Sequence, residues 1–195
     1  MLVLKLLRKD FHEAELENEY LLQTNEVKRR TDRRKSKQDR QLSLAGLLLL
    51  RKGIGQLYGI DDYSVKYSEN GKPFLDFCFF SISHSGGLAV CAISDNPIGI
   101  DTEAFYEIKP RESYMLFSEN ESRYVNEKPE LRSVRYLRLW TMKEALIKLK
   151  GGKLRDAGGY CFPDITDDPI YLLGNLRFTT ENDGGYIITV CEEVP

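Results

Sequence analysis

The stretch Gly86-Gly87-Leu88-Ala89-Val90-Cys91-Ala92 returns late in the chain as Gly184-Gly185-Tyr186-Ile187-Ile188-Thr189-Val190-Cys191. Each copy is a glycine pair followed by a β-rich run through Val-Cys. Glycine adopts turn conformations that other residues resist, and apolar, β-branched residues favour strands, so each copy predicts a turn and a strand. Two readings are open. Turn glycines before strands are common, and the echo is then a coincidence. Alternatively the chain carries an ancient duplication, in which two similar α+β halves pack together.

Working outward, residues 77–83 and 87–93 predict strands joined by a polar loop, His84-Ser85-Gly86, and residues 98–103 predict a third. Upstream, residues 1–7 predict a first strand. They are too few for the core of a signal peptide, and Arg8, Lys9 and Asp10 follow at once. Residues 12–24 place Leu16, Tyr20 and Leu21 at helical spacing. A long helix is expected from about 26 to 52, broken by Gly53, Gly55 and Gly59. Residues 65–67 suggest a short strand, and Asn70-Gly71 a turn continued by Lys72-Pro73. Downstream, helices are expected over 113–126 and 131–150, the second ended by Gly151-Gly152. Strands follow over 171–180 and 186–192. The order of elements repeats, as an α+β chain of two halves would have it: 1–104 and 105–195.

The chain has 195 residues, enough for one large domain or two small ones that share a core. A net charge of -2 gives no global field toward nucleic acid or membrane. Charge is concentrated instead: between Lys28 and Arg40 eight basic residues face only Asp32 and Asp39. That run has no interleaved aromatics and no recognisable nucleic-acid module, so a nucleic-acid partner is not expected. The apolar run 42–50 is bracketed by Arg40 and Arg51, too short to span a bilayer. Cys78, Cys91, Cys161 and Cys191 lack metal-binding or redox spacing and read as reduced thiols of a cytoplasmic protein.

Four clusters carry possible chemistry. In Ile98-Gly99-Ile100-Asp101-Thr102-Glu103 the two acids are two apart, so on a strand both carboxylates point to one face. Such neighbours repel unless a cation or proton intervenes, and hard oxygens suit Mg²⁺; the alternative is a solvated strand end. In Trp140-Thr141-Met142-Lys143-Glu144-Ala145-Leu146-Ile147-Lys148, residues Trp140, Glu144 and Lys148 share a helix face. Ile147 turns that face inward, where an acid and a lysine need partners. Phe79-Phe80-Ser81-Ile82-Ser83-His84-Ser85-Gly86 offers donors to an anion. Its Ser-His adjacency does not make a hydrolase, since no nucleophile elbow is present. In Phe117-Ser118-Glu119-Asn120-Glu121, Ser118 and Glu121 have capping-box spacing.

The ordered series G-K-P, F-x-I-S-H-S, I-G-I-D-x-E, F-S-x-x-E and W-x-x-K-E-x-x-x-K resembles the 4′-phosphopantetheinyl transferase superfamily. It is most similar to the surfactin-synthetase-activating type, in which one chain holds two similar α/β halves related by a pseudo-twofold axis. The resemblance covers about residues 26–154. It implies transfer of the phosphopantetheine arm of coenzyme A to a serine of an acyl or peptidyl carrier protein, with release of adenosine 3′,5′-bisphosphate. It also implies a Mg²⁺ held by Asp101, Glu103 and Glu144, a general base at Glu121, and a pyrophosphate contact at Lys148. Coenzyme A would be bound by Lys72, Pro73, Ser83, His84 and Lys148, with Arg30 and Ser43 nearest its 3′-phosphate. A chain that holds both halves can complete its own site, so a monomer is expected, with no membrane association. Thr102 departs from the family, which often has an apolar residue or a further acid there.

Overall fold

The computed structural model of the chain describes residues 1–107 and 116–194, leaving aside the side chains of Glu107 and Leu154. It is a mixed α+β structure built on two main antiparallel sheets, each crossed by a long helix.

The first sheet has the order β1-β5-β4, from β1 (Leu2–Leu7), β4 (Phe79–Ser85) and β5 (Leu88–Ser94). Its hairpin pairs Ser85 with Leu88, so the connection is only Gly86-Gly87, with Gly86 at φ +62°. His84 and Ser85 are thus strand residues, not the loop the sequence suggested, because two glycines suffice to turn the chain. Helix α3 (Lys37–Tyr58) covers one face, and α1 (Glu13–Leu22) and α2 (Asn25–Asp32) pack against α3. The single helix expected over 26–52 is therefore two. Thr24 caps α2 by accepting from Val27 N (3.4 Å), and Ser36 caps α3 by accepting from Asp39 N (3.0 Å). Helix α3 then runs through Gly53 and Gly55 and ends only at Gly59, whose φ of +65° is left-handed. Gly53 is one of the places where the helix touches the sheet: a Cβ there would lie 2.4 Å from Ile93 Cδ1 and 3.1 Å from Leu4 Cδ1. A small hairpin of β2 (Lys66–Tyr67) and β3 (Pro73–Phe74) turns at Gly71, φ +83°.

The second sheet has the order β6-β9-β8-β7, from β6 (Ile98–Ala104), β7 (Ile170–Leu173), β8 (Leu176–Asp183) and β9 (Tyr186–Glu193). The strand expected over 171–180 is a hairpin, split at Gly174 with φ +59°. Helix α4 (Glu119–Glu127) starts at the capping box of Ser118 and Glu121, later than expected; positions 113–115 of the expected helix lie outside the described residues. Helix α5 (Arg132–Lys150) packs across β6 and β9 and ends at Gly151, φ +69°.

Strand β6 is hydrogen-bonded to β9, so the acids Asp101 and Glu103 are carried by the second sheet rather than the first. The reason is apolar. Ile98, Ile100 and Ala104, on the other face of β6, join Val90, Ala92, Ile188 and Val190 in a core between the two sheets. Separate cores lie under α3 and under α5. Strands β4 and β6 lie against each other, and this seam carries the site. Among the described residues, no helix is long and apolar enough to cross a membrane. Cys78, Cys91 and Cys191 are buried free thiols, and Cys161 is an exposed one.

Candidate active site

Alternation along β6 puts residues 99, 101 and 103 on the face beneath α5. Gly99 sets how closely the helix comes: a Cβ there would sit 1.9 Å from the Ala145 carbonyl oxygen and 2.7 Å from Leu149 N. Nothing but glycine fits, and the close approach seats Glu144 and Lys148 beside Asp101. Lys148 Nζ donates to Asp101 Oδ1 (2.6 Å) and to Ser83 Oγ (2.7 Å), and Ser83 Oγ donates to the same Asp101 oxygen (2.8 Å). Asp101 Oδ2 is buried and has no hydrogen-bond partner among the described residues. Glu103 receives Ser85 Oγ at 2.8 Å and Trp140 Nε1 at 3.2 Å.

The crowding of carboxylates shows in their acidity. Burial, then the Asp101 charge, raises the Glu144 carboxyl to about 7 against the opposing pull of Lys148. Burial and Asp101 likewise raise Glu103. Burial, then the Arg34 and Lys148 charges, lowers the His84 imidazole to about 4, so it is neutral at pH 7.

These groups line one cleft of about 690 Å³. Its walls bring together Asp101, Glu103, Glu144 and Lys148 with Ser83, His84, Pro73, Ser43 and Arg30. Arg30 is held by Glu26 (3.0 Å) and stacks on Tyr67, its guanidinium 3.8 Å from the ring centroid. Arg33 and Arg34 join it on the rim. The basic run thus faces the carboxylates across the cleft, an arrangement suited to a polyanion carrying a metal.

Two expected residues stand elsewhere. Lys72 lines a neighbouring groove of about 240 Å³, and its Nζ donates to the Leu149 carbonyl (2.6 Å) at the C-terminal end of α5, where a cation offsets the exposed carbonyls. Its contact here is with the helix. Glu121 is fully buried. Its oxygens accept from Ser118 N (2.7 Å) and Phe162 N (3.0 Å) and pair with Lys143 Nζ (3.0 Å), itself fully buried and bound to the Ala157 and Tyr160 carbonyls. These contacts fix Glu121 at the start of α4, in a buried pair with Lys143. Thr102 is also buried, its strand face turned away from the acids, with no hydrogen-bond partner for its hydroxyl among the described residues.

Residues 97–191 match the family model for the 4′-phosphopantetheinyl transferase superfamily. The chain is 32% identical over 177 residues to the 4′-phosphopantetheinyl transferase Sfp of Bacillus subtilis, covering 82% of this chain and 77% of the relative. The chain belongs to the 4′-phosphopantetheinyl transferase superfamily. Other superfamily relatives include the transferase gsp of Aneurinibacillus migulanus, 41% identical over 117 residues, 58% of this chain and 49% of that protein. The transferase AcpT of Salmonella typhi is 33% identical over 119 residues, 56% and 58% of the two chains. The chain thus spans about half the length of gsp and of AcpT.

In this superfamily member, sequence reasoning missed that Ser85 and the indole of Trp140 hold Glu103, and that Tyr67 backs Arg30. One signal was available. Ser83-x-Ser85 has the same two-residue spacing as Asp101-x-Glu103, and the two pairs meet rung by rung.

Proposed function

We propose that the chain transfers the 4′-phosphopantetheine arm of coenzyme A to a serine of an acyl or peptidyl carrier protein and releases adenosine 3′,5′-bisphosphate. The observation that supports this most is the single cleft in which three carboxylates and Lys148 face Arg30, Arg33 and Arg34. The relatives it resembles are named as 4′-phosphopantetheinyl transferases. The proposal includes a cytoplasmic monomer and two halves related by duplication. In support of the duplication, both hairpins, β4-β5 and β8-β9, turn on a glycine pair, Ser85 pairing with Leu88 and Asp183 with Tyr186.

The expected Mg²⁺ would be held by Asp101, Glu103 and Glu144. The donor set fits: all are hard oxygens, and Asp101 Oδ2 is buried without a partner among the described residues. The three are not gathered into a ready ligand group, since no three His, Cys, Asp or Glu side chains among the described residues are close enough to hold an ion. When bound, the ion supplies charge neutralisation for the pyrophosphate. The chain's own residues do the rest. Lys148 carries a cation at the seam, where it stabilises charge on the departing phosphate. Neutral His84 and Ser83 offer hydrogen bonds to phosphate oxygens, and Arg30, pre-oriented by Glu26 and Tyr67, meets an outer phosphate. Lys72 holds the Gly71–Pro73 turn against α5 instead of contacting the ligand. Base catalysis by Glu121 is not part of the proposal, because its carboxylate is wholly engaged in the core.

Incubation with coenzyme A, Mg²⁺ and a panel of apo carrier proteins, followed by intact-mass measurement of the carriers, tests the reading. A carrier that gains one phosphopantetheine mass supports it. No gain on any carrier, together with no binding of coenzyme A, overturns it.

A further inference from the structure

The two acids of β6 are not held alike. Glu103 is fixed at both oxygens and from both sides of the seam. Ser85, the last residue of β4, donates to Oε2 at 2.8 Å, and Trp140, on α5, donates its indole N–H to Oε1 at 3.2 Å. Ser85 Oγ also accepts from Ala104 N at 3.1 Å, which directs the hydroxyl proton toward Glu103. Among the described residues, Asp101 is bound at one oxygen, by Ser83 and Lys148. No hydrogen bond among the described residues holds the Glu144 carboxylate, which lines the same cleft. The pocket therefore contains one acid held at both oxygens, one held at a single oxygen, and one that no hydrogen bond among the described residues holds.

We propose that Ser85 and Trp140 are positioning residues that lock the Glu103 carboxylate as the fixed reference ligand for the divalent cation, onto which Asp101 and Glu144 close. This rests on the metal-dependent transferase reading above. Neither residue is among those lining the cleft, and both act through Glu103. Their origin matters. Ser85 comes from the first sheet and Trp140 from the helix of the second, so Glu103 is in register only when the two sheets are docked. A ligand with both oxygens pre-oriented loses no rotamer freedom on binding, and partners of this kind change metal affinity by about 10- to 100-fold.

The test is Mn²⁺ binding at saturating coenzyme A, read from the free-ion EPR signal with a coenzyme A blank. It uses the full chain and the variants Ser85→Ala and Trp140→Phe, each alone and in a Glu103→Ala background. Each single variant is expected to weaken Mn²⁺ about 10-fold or more, while coenzyme A affinity without metal stays within about twofold. In the Glu103→Ala background each is expected to change Mn²⁺ affinity by less than about twofold, because the group they act through is gone. Single variants that keep the wild-type Mn²⁺ affinity overturn the inference and leave the transferase reading intact. So does an equal loss in the Glu103→Ala background, which marks a general structural role. A wild-type chain that binds coenzyme A but no Mn²⁺ overturns the metal-dependent reading itself. Thermal melts confirm folding, and since the two donors sit on different elements, either variant alone decides the matter if the other does not fold.

Discussion

Glu121→Gln separates two roles for Glu121: the base that the family resemblance implies, and an anchor in the buried pair with Lys143. The carboxylate is fully buried, takes two backbone N–H groups, and pairs with an equally buried Lys143 at 3.0 Å. The amide is nearly isosteric, but it removes the charge and turns an NH₂ toward groups that are all donors. Lys143 keeps its two carbonyl partners and loses its counter-charge. Breaking one side of a buried pair costs about 3–5 kcal/mol. For a chain of 195 residues, at roughly 2–4 °C per kcal/mol, the melting temperature should fall by about 6–20 °C. Lys143→Met should cost a similar amount, and the double variant less than the sum, because the second change no longer strands a charge. Thermal melting by circular dichroism, beside a carrier-modification assay at a temperature where the variants stay folded, reads both quantities. If Glu121→Gln melts within about 2 °C of wild type and yet loses all activity, the anchoring argument is wrong and the carboxylate works as a base.

Further outcomes follow from the same geometry. Gly99→Ala drives a methyl into the backbone of α5 and should cost about 3 kcal/mol or more, with a parallel loss of coenzyme A affinity by calorimetry; an unchanged melt would contradict the packing of α5 on β6. Glu144→Gln should stabilise the metal-free protein at pH 7.5 and not at pH 4.5. With its carboxyl raised from 4.5 to about 7, the unfolded state releases its proton first, so stability falls as pH rises through that window, by about 3 kcal/mol at most; melts at the two pH values check the sign. His84 acts in the opposite sense, since its pKa is lowered from 6.5 to about 4, and stability is lost as pH falls below 6.5; His84→Gln should flatten that acid limb. Lys72→Met should cost about 1 kcal/mol and speed hydrogen exchange at the last turn of α5, with Lys72→Arg retaining most of the protection.

What the sequence made legible was local and periodic. The paired glycine turns announced both hairpins, the D-x-E spacing put two carboxylates on one face, and the four-residue spacing put Glu144 and Lys148 on one side of α5. What it hid was long-range or energetic. That β6 pairs with β9 depends on residues 98–104 meeting 186–193, which no window contains. Gly53 reads as a helix breaker until Ile93 is seen against it, where packing outweighs the propensity cost of about 1 kcal/mol. The break after α2 carries no glycine or proline, and its signal, Ser36 three residues before Asp39, is an N-cap inside a run read for its charge. Glu121 was legible as a capping box, but its burial depends on Lys143, which the motif reading passed over for its neighbour Glu144.

The most direct measurement follows both products of one reaction. The chain is mixed with coenzyme A, Mg²⁺ and an apo carrier protein; carrier mass and released adenosine 3′,5′-bisphosphate are quantified together, with Lys148→Ala as the comparison. The account predicts equal amounts of modified carrier and nucleotide, the modification on a serine, and a large loss in Lys148→Ala. Nucleotide released without carrier modification would instead mark a hydrolase and contradict the account.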